Sequence, residues 1–189
     1  MSTASTGHPV VDQEAWLDAR RDHLEQEKAF TRERDALSAA RRDLPWLEIT
    51  TDYRFQTATG TVSLADLFDG RRQLLVYHFM MGPDWEEGCP SCSFWADNYD
   101  GTDVHLAHRD TTLVAVSRAP LEAIEAYRQR MGWSFTWVSS HDSPFNYDMR
   151  VSFDPSDPDD QQNNYNFDTQ DFPGDEAPGI SAFVRDDDG

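Results

Sequence analysis

Residues 74–92 read LLVYHFMMGPDWEEGCPSC. The first eight of them, 74–81, are almost wholly apolar, which predicts a strand covered on both faces, as in a parallel sheet. After a short loop, Cys89 and Cys92 stand in the spacing C-x-x-C and open a helix-compatible segment that extends to about Asn98. The sequence therefore predicts a strand–loop–helix unit with both cysteines at the start of the helix.

The same alternation of strand and helix continues along the chain. Short links between alternating strands and helices predict an α/β domain with a central mixed sheet flanked by helices. The other predicted elements are a hairpin around Gly60, a helix between Pro120 and Gly132, a helical turn over 145–149, and strands over 111–117, 135–139 and 180–184.

The domain organisation follows from composition. We expect a disordered amino terminus over 1–11, a helical extension over 12–44 and the α/β domain over 45–189, with 154–176 as an acidic loop or insertion. Apolar residues recur about every seven positions in the extension; they are Leu17, Leu24, Phe30, Leu37 and Leu44. This apolar stripe is compatible with a coiled-coil arm. Because it is narrow, we expect the helix to pack onto the chain's own domain instead.

The charge excludes several partners. The chain has 35 acidic and 16 basic residues and a net charge of -19, with a single lysine. Such a chain repels nucleic acid and anionic lipid surfaces, and no apolar run reaches the ~18 residues that span a bilayer. The amino terminus lacks a secretory signal pattern, so we expect a cytoplasmic protein. Asp-rich, Lys-poor composition also predicts a halophilic protein, because concentrated salt screens surface carboxylates.

The two cysteines carry the predicted chemistry. A helix amino terminus stabilises a thiolate, so Cys89 is the predicted nucleophile and Cys92 the resolving thiol of a dithiol-disulfide exchange. Pro90 suits the first helical turn. Glu86 and Glu87 precede Cys89, and if they lie close to it they disfavour its thiolate.

A structural zinc site is the alternative. Cys89 and Cys92 are followed by His105 and His108, a spacing near that of zinc fingers, and His78 is a further possible ligand. In that case the chain is a binding module with the four residues as ligands and no catalytic activity. The leading interpretation needs no cofactor and no metal.

Two segments of the sequence resemble those of a known family. The segments YHFMMGPDWEEGCPSC and VSRAPLEAIEAYRQRMGW are similar to those of thioredoxin-like proteins described as predicted dithiol-disulfide oxidoreductases, first catalogued as a domain of unknown function. The resemblance implies a thioredoxin-like fold and a Cys89–Cys92 redox pair. Members of this family continue with a further strand and helix, and a hairpin-turn signal at 186–189 agrees that this chain lacks them.

Two departures from better-studied relatives matter. Thioredoxins carry a cis-proline before the strand that faces the cysteines, and here Ser181 stands where that proline is expected, with Pro178 three residues too early. Peroxiredoxins carry P-x-x-x-T-x-x-C, and here Gly82 and Glu86 replace the proline and the threonine. Peroxide reduction is therefore the third prediction.

The leading prediction is an enzyme that exchanges disulfides with a protein or small-molecule substrate. Trp85, Pro90 and Ser181 are the predicted substrate-binding residues. The sequence names neither the electron donor nor the oligomeric state.

Overall fold

The computed structural model describes residues 7–154, 165–167 and 174–186. The chain divides after Thr50 into two units. The first unit contains one helix, α1, over Gln13–Arg42, and the second contains the sheet. No helix in the described ranges combines the length and apolarity that crossing a membrane requires.

Helix α1 begins and ends as its sequence predicts. The Asp12 carboxylate accepts a hydrogen bond from the Ala15 backbone N–H at 2.9 Å, and Asp43 is the carboxyl-terminal cap. An amino-terminal carboxylate and the basic residues Arg41 and Arg42 in the last turn both complement the helix dipole. No residue of α1 is buried.

The second unit is a mixed sheet with helices on both faces. Its strands are β1 (Arg54–Thr57), β2 (Gly60–Ser63), β3 (Gln73–His78), β4 (Thr111–Ser117), β5 (Thr136–Ser139) and β6 (Gly179–Val184). Its α-helices are α2 (Pro90–Tyr99), α3 (Asp103–Ala107), α4 (Leu121–Met131) and α5 (Phe145–Asp148). Two short 3-10 segments lie at Asp66–Phe68 and Tyr165–Phe167.

The strand order is β2-β1-β5-β4-β3-β6. Strands β3, β4 and β5 are parallel, whereas β6 pairs antiparallel with β3 and β1 pairs antiparallel with β5. Helices α2 and α4 connect the parallel strands, as βαβ crossovers do. This arrangement is the predicted thioredoxin-like α/β fold with an amino-terminal helix.

Alternating side chains of β3 build two different cores. Tyr77 faces an aromatic cluster that includes Cys92, Ile124 and Trp137 and lies beneath α2 and α4. Leu74, Val76 and His78 face the other side, where Phe145 of α5 stacks on the His78 ring at 5.6 Å. Because both faces are covered, this strand is apolar along nearly its whole length.

A buried ion pair joins the ends of two strands. Arg118 directly follows β4, and its guanidinium contacts Glu176, three residues before β6. The Ser152 hydroxyl donates to the second Glu176 oxygen at 2.8 Å, and Tyr147 also contacts Arg118. Burial raises the pKa of Glu176, which Arg118 and Ser152 oppose. The pair holds the segment that enters β6 against the end of β4.

Most of the predicted elements are present. Several elements lie within one or two residues of their predicted bounds: the β1–β2 hairpin, strands β4, β5 and β6, and helix α4, which Gly132 ends. Gly132 has φ 76°, a left-handed conformation that glycine adopts without a Cβ clash. The short helix α3 is a difference, because the sequence analysis assigned no element there.

Three predictions fall on residues that the structure does not describe. The disordered terminus over 1–11 lies outside the described ranges at residues 1–6. The acidic loop over 154–176 lies mostly outside them, and so does the hairpin turn at residues 187–189.

The buried His78 gives the fold a pH dependence. Burial lowers the pKa of His78 from 6.5 to about 4, and its Nδ1 has no hydrogen-bond partner among the described residues. In the unfolded chain the imidazole binds a proton near pH 6.5, so stability from this group falls as pH drops from 6.5 towards 4. We expect a loss of about 2 to 3 kcal/mol between pH 7 and pH 4.5.

Urea unfolding of the wild type and of His78→Leu at the two pH values measures this term. The variant loses stability at neutral pH through the missing contacts, but its further loss on acidification is smaller than that of the wild type. An identical pH dependence in both proteins would contradict the assignment to His78.

Candidate active site at the start of helix α2

The two cysteines lie beyond the carboxyl end of β3. Cys89 is the residue before α2, and its backbone N–H donates to the Met80 carbonyl at 3.0 Å. The loop after β3 runs beside the end of β4, where the Ala119 N–H donates to the Met81 carbonyl at 2.9 Å. These bonds fix the start of α2 at the carboxyl edge of the parallel strands, where α/β folds place their sites.

The two thiols differ in burial. Cys89 is half-buried at the amino terminus of a ten-residue helix, and its side chain makes no capping hydrogen bond there. Cys92 is only 1% exposed. Burial raises the pKa of the Cys92 thiol to about 11, which Met80 and Tyr77 partly oppose by hydrogen bonding. The site thus combines an accessible thiol with a buried one in the same helical turn.

Tyr77 lies beneath the buried cysteine. Its hydroxyl donates to the Cys92 carbonyl at 3.0 Å, and its ring is 4% exposed. Burial, first of all, raises the pKa of Tyr77, so the phenol keeps its proton and acts as a donor. Sequence analysis missed this residue because, in an apolar run, a tyrosine is indistinguishable from a core aromatic.

A second set of contacts holds the first turn of α2. The Ser93 hydroxyl donates to the Cys89 carbonyl at 3.0 Å and also contacts the Tyr127 hydroxyl at 3.1 Å. Arg130 lies over the Tyr127 ring at 5.3 Å and donates to the Glu87 carboxylate at 2.6 Å. Glu87, which we expected to disfavour the Cys89 thiolate if close to it, is therefore paired with the Arg130 cation from α4.

Trp85 and two glycines shape the loop before Cys89. Trp85 is half-buried against the aromatic cluster, and a Cβ added at Gly82 would lie 2.9 Å from its Nε1. A Cβ added at Gly88 would lie 2.5 Å from the Phe79 ring. Larger residues at either glycine would displace the loop. Trp85 and Cys89 therefore pack against the same core cluster.

The other predicted substrate-binding residues lie in different places. Pro90 is exposed as the first residue of α2, next to Cys89. Ser181 pairs with Val76 in the middle of β3, and its hydroxyl is 2.8 Å from the His78 Nε2. The residue that opposes the end of β3 is Gly179. Ser181 is therefore the third residue of β6, and Pro178 directly precedes the strand.

The alternative zinc ligands do not converge. His105 lies in α3 and His108 caps that helix, both exposed, while Cys92 is a buried residue of α2. In the described part of the chain no three histidine, cysteine or acidic side chains come close enough to hold a metal ion.

Tyr165 is a further residue that sequence analysis missed. It belongs to the short 3-10 segment inside the predicted acidic loop, and its hydroxyl donates to the Pro178 carbonyl at 2.6 Å. Burial, and secondarily the charge of a Cys92 thiolate, raise the pKa of Tyr165. Its hydroxyl therefore ties this segment to the residue that directly precedes β6.

The mixed sheet and the C-x-x-C pair at the start of α2 define a thioredoxin-like α/β domain. The profile of the family described as "Bacterial protein of unknown function (DUF899)" matches residues 5–189, and the chain belongs to this family. The resemblance found in the sequence is thereby confirmed. No curated protein matches the chain.

Solved structures show weaker similarity. A cysteine-to-serine mutant of PrxQ from Xylella fastidiosa is 14% identical, with 60% of this chain and 72% of that chain covered and a TM-score of 0.45. Peroxidoxin BcpB from Mycobacterium tuberculosis is 13% identical, with 57% and 66% covered and a TM-score of 0.47. A putative thioredoxin from Neisseria meningitidis is 22% identical, with 51% and 61% covered and a TM-score of 0.38.

The difference in burial predicts selective alkylation. At pH 8, a thiol with a pKa near 11 is ionised in about one molecule in a thousand, and the buried sulfur is also inaccessible to reagents. We expect iodoacetamide to label Cys89 in the folded, reduced protein and to label Cys92 only after unfolding. Peptide mass spectrometry measures both sites, and equal labelling of the two cysteines in the folded protein would contradict the assignment.

Proposed function

We propose that the protein is a dithiol-disulfide oxidoreductase in which Cys89 attacks and Cys92 resolves. The observation that carries this proposal is the pairing of a half-exposed thiol at the helix amino terminus with a buried thiol one turn along. The helix dipole favours negative charge at Cys89, whereas the buried Cys92 thiol stays neutral until the second step. The substrate is a protein or small-molecule disulfide.

The exchange balances in two steps. The Cys89 thiolate attacks one sulfur of the substrate disulfide, and the other substrate sulfur leaves as a thiolate that takes up a proton. Cys92 then loses its proton and attacks the Cys89 sulfur. The second substrate thiol is released, and a Cys89–Cys92 disulfide remains. The substrate gains two electrons, and a dithiol donor returns them to the protein by the reverse exchange.

Tyr77 acts in the second step. The Cys92 thiol must ionise in a buried site, where a charged group without donors is costly. The Tyr77 hydroxyl donates to the Cys92 backbone carbonyl and opposes the rise in the Cys92 thiol pKa, so it is the proposed donor that lowers this cost. Trp85 lies four residues before Cys89 and Pro90 directly after it, and these two residues are the proposed contacts for the substrate.

Two other functions follow from the same cysteines. A zinc-stabilised binding module would need further ligands, which the described residues do not supply. Peroxide reduction would act at Cys89 without the proline and threonine of the peroxiredoxin pattern, because Gly82 and Glu86 occupy those positions.

Cysteine variants test the assigned roles. We expect Cys92→Ser to accumulate a mixed disulfide with a substrate peptide, because the attacking thiol is present and the resolving thiol is absent. Cys89→Ser forms none. Non-reducing electrophoresis and mass spectrometry detect the adduct, with the double variant as the control. Trapping by Cys89→Ser instead would reverse the roles, and one equivalent of zinc in the reduced wild type would favour the binding module.

Tyr77→Phe tests the donor. Loss of a hydrogen bond to a charged group costs about 1.5–3 kcal/mol, so we expect resolution of the mixed disulfide to slow by about tenfold or more. The first attack by Cys89 keeps its rate. Stopped-flow kinetics with a fluorescent disulfide separates the two phases, and Tyr99→Phe is the matched control from α2. A pH profile in which the resolving phase of Tyr77→Phe equals that of the wild type would exclude the role.

A further inference from the structure

Helix α1 exposes large apolar side chains. Trp16, Phe30 and Leu37 are 57%, 66% and 63% exposed, and Leu24 is 37% exposed. The first three are separated by multiples of seven residues, so they form one line on a helix wound at 3.5 residues per turn. Leu44 continues this line just past the helix. A line of large exposed apolar side chains on one helix is a candidate interaction site.

The charges of α1 are segregated by halves. Residues 13–27 contain five acidic and two basic residues, whereas residues 28–42 contain five basic and two acidic residues. The helix as a whole has no net charge, so the net charge of -19 resides elsewhere in the chain. Two copies of α1 can therefore approach each other without the repulsion that the rest of the chain creates.

Local effects do not explain the segregation. The helix dipole acts only within the first and last turns, yet Asp22 and Arg32 lie well inside the helix. Ion pairs along the helix, such as Asp18 with Arg21 at 3.0 Å and Glu25 with Lys28 at 2.9 Å, need no difference between the halves. A partner helix in the opposite direction would place each acidic half against a basic half.

We propose that α1 is an interface for a second copy of this chain and that the two helices pair antiparallel. The stripe of Trp16, Phe30 and Leu37 supplies the apolar seam, and the flanking charges set the direction of the partner. A parallel pair would place like halves together, and each half would then repel its counterpart. The inference is independent of the proposed redox activity.

Charge-reversal variants of the full chain test the interface. The wild type at about 0.15 M ionic strength, where the Debye length is ~8 Å, should sediment at twice its mass of 21.6 kDa. A variant with Arg34→Glu and Arg41→Glu is acidic beside the seam in both halves, and one with Asp22→Lys and Glu27→Lys is basic beside the seam in both halves. Each should be monomeric alone, and their equimolar mixture should recover the dimer.

A matched control keeps the charge of the half unchanged. The exchange Glu33→Arg with Arg34→Glu preserves the net charge and should remain dimeric. Phe30→Ser with Leu37→Ser removes the seam and should be monomeric. Circular dichroism confirms that each variant retains its helix. A monomeric wild type, or a dimer that survives both charge-reversal variants, would overturn the proposal.

Crosslinking reports the direction of the pair. In a background with Cys89→Ser and Cys92→Ser, Gln26→Cys and Ala19→Cys place a thiol at equivalent positions of successive heptads. An antiparallel pair brings the two copies of residue 26 together near the centre and separates the two copies of residue 19. A short bismaleimide should therefore link Gln26→Cys alone. Efficient linkage of Ala19→Cys would show a parallel pair and contradict the proposed antiparallel orientation.

Discussion

Burial of β3 on both faces is the constraint on which the rest of the α/β unit depends. Its parallel partner β4 and its antiparallel partner β6 cover the edges of the strand, so its backbone groups are paired on both sides. One face supplies Tyr77 to the cluster under α2, and the other supplies His78 to the core around Phe145. Backbone hydrogen bonds at Met80 and Met81 hold the loop that follows this strand, and Cys89 lies at the end of the loop, directly before α2.

The chemistry of the site comes from unequal environments for two identical side chains. Two residues separate the half-buried Cys89 from the buried Cys92, and burial raises the pKa of the inner thiol. A thiol that is neutral until a partner sulfur arrives suits a resolving role. The same burial makes a Cys92 thiolate costly, and the Tyr77 hydroxyl, from the central strand, donates to the Cys92 backbone carbonyl beside that sulfur. In the proposed exchange, strand and helix therefore both contribute.

Electrostatics acts differently in each unit. Near the cysteines, Glu87 is paired with Arg130, and Arg118 is paired with Glu176 in the interior, so the acidity of the chain is compensated where it meets the core. In α1, equal numbers of acidic and basic residues are sorted by half. Composition gave only the net charge of -19, and the distribution of that charge carries the information about partners.

The sequence by itself determined the order of elements, because strand and helix periods, Pro120, Gly132 and the apolar run before Cys89 are local signals. The C-x-x-C spacing also marked the candidate site. Tertiary structure decided what depends on register and burial: Ser181 lies opposite Val76, Tyr77 reaches Cys92, and Arg130 pairs with Glu87 across 43 residues. A one-residue change of register reverses the face of every side chain, and no local pattern fixes contacts between distant segments.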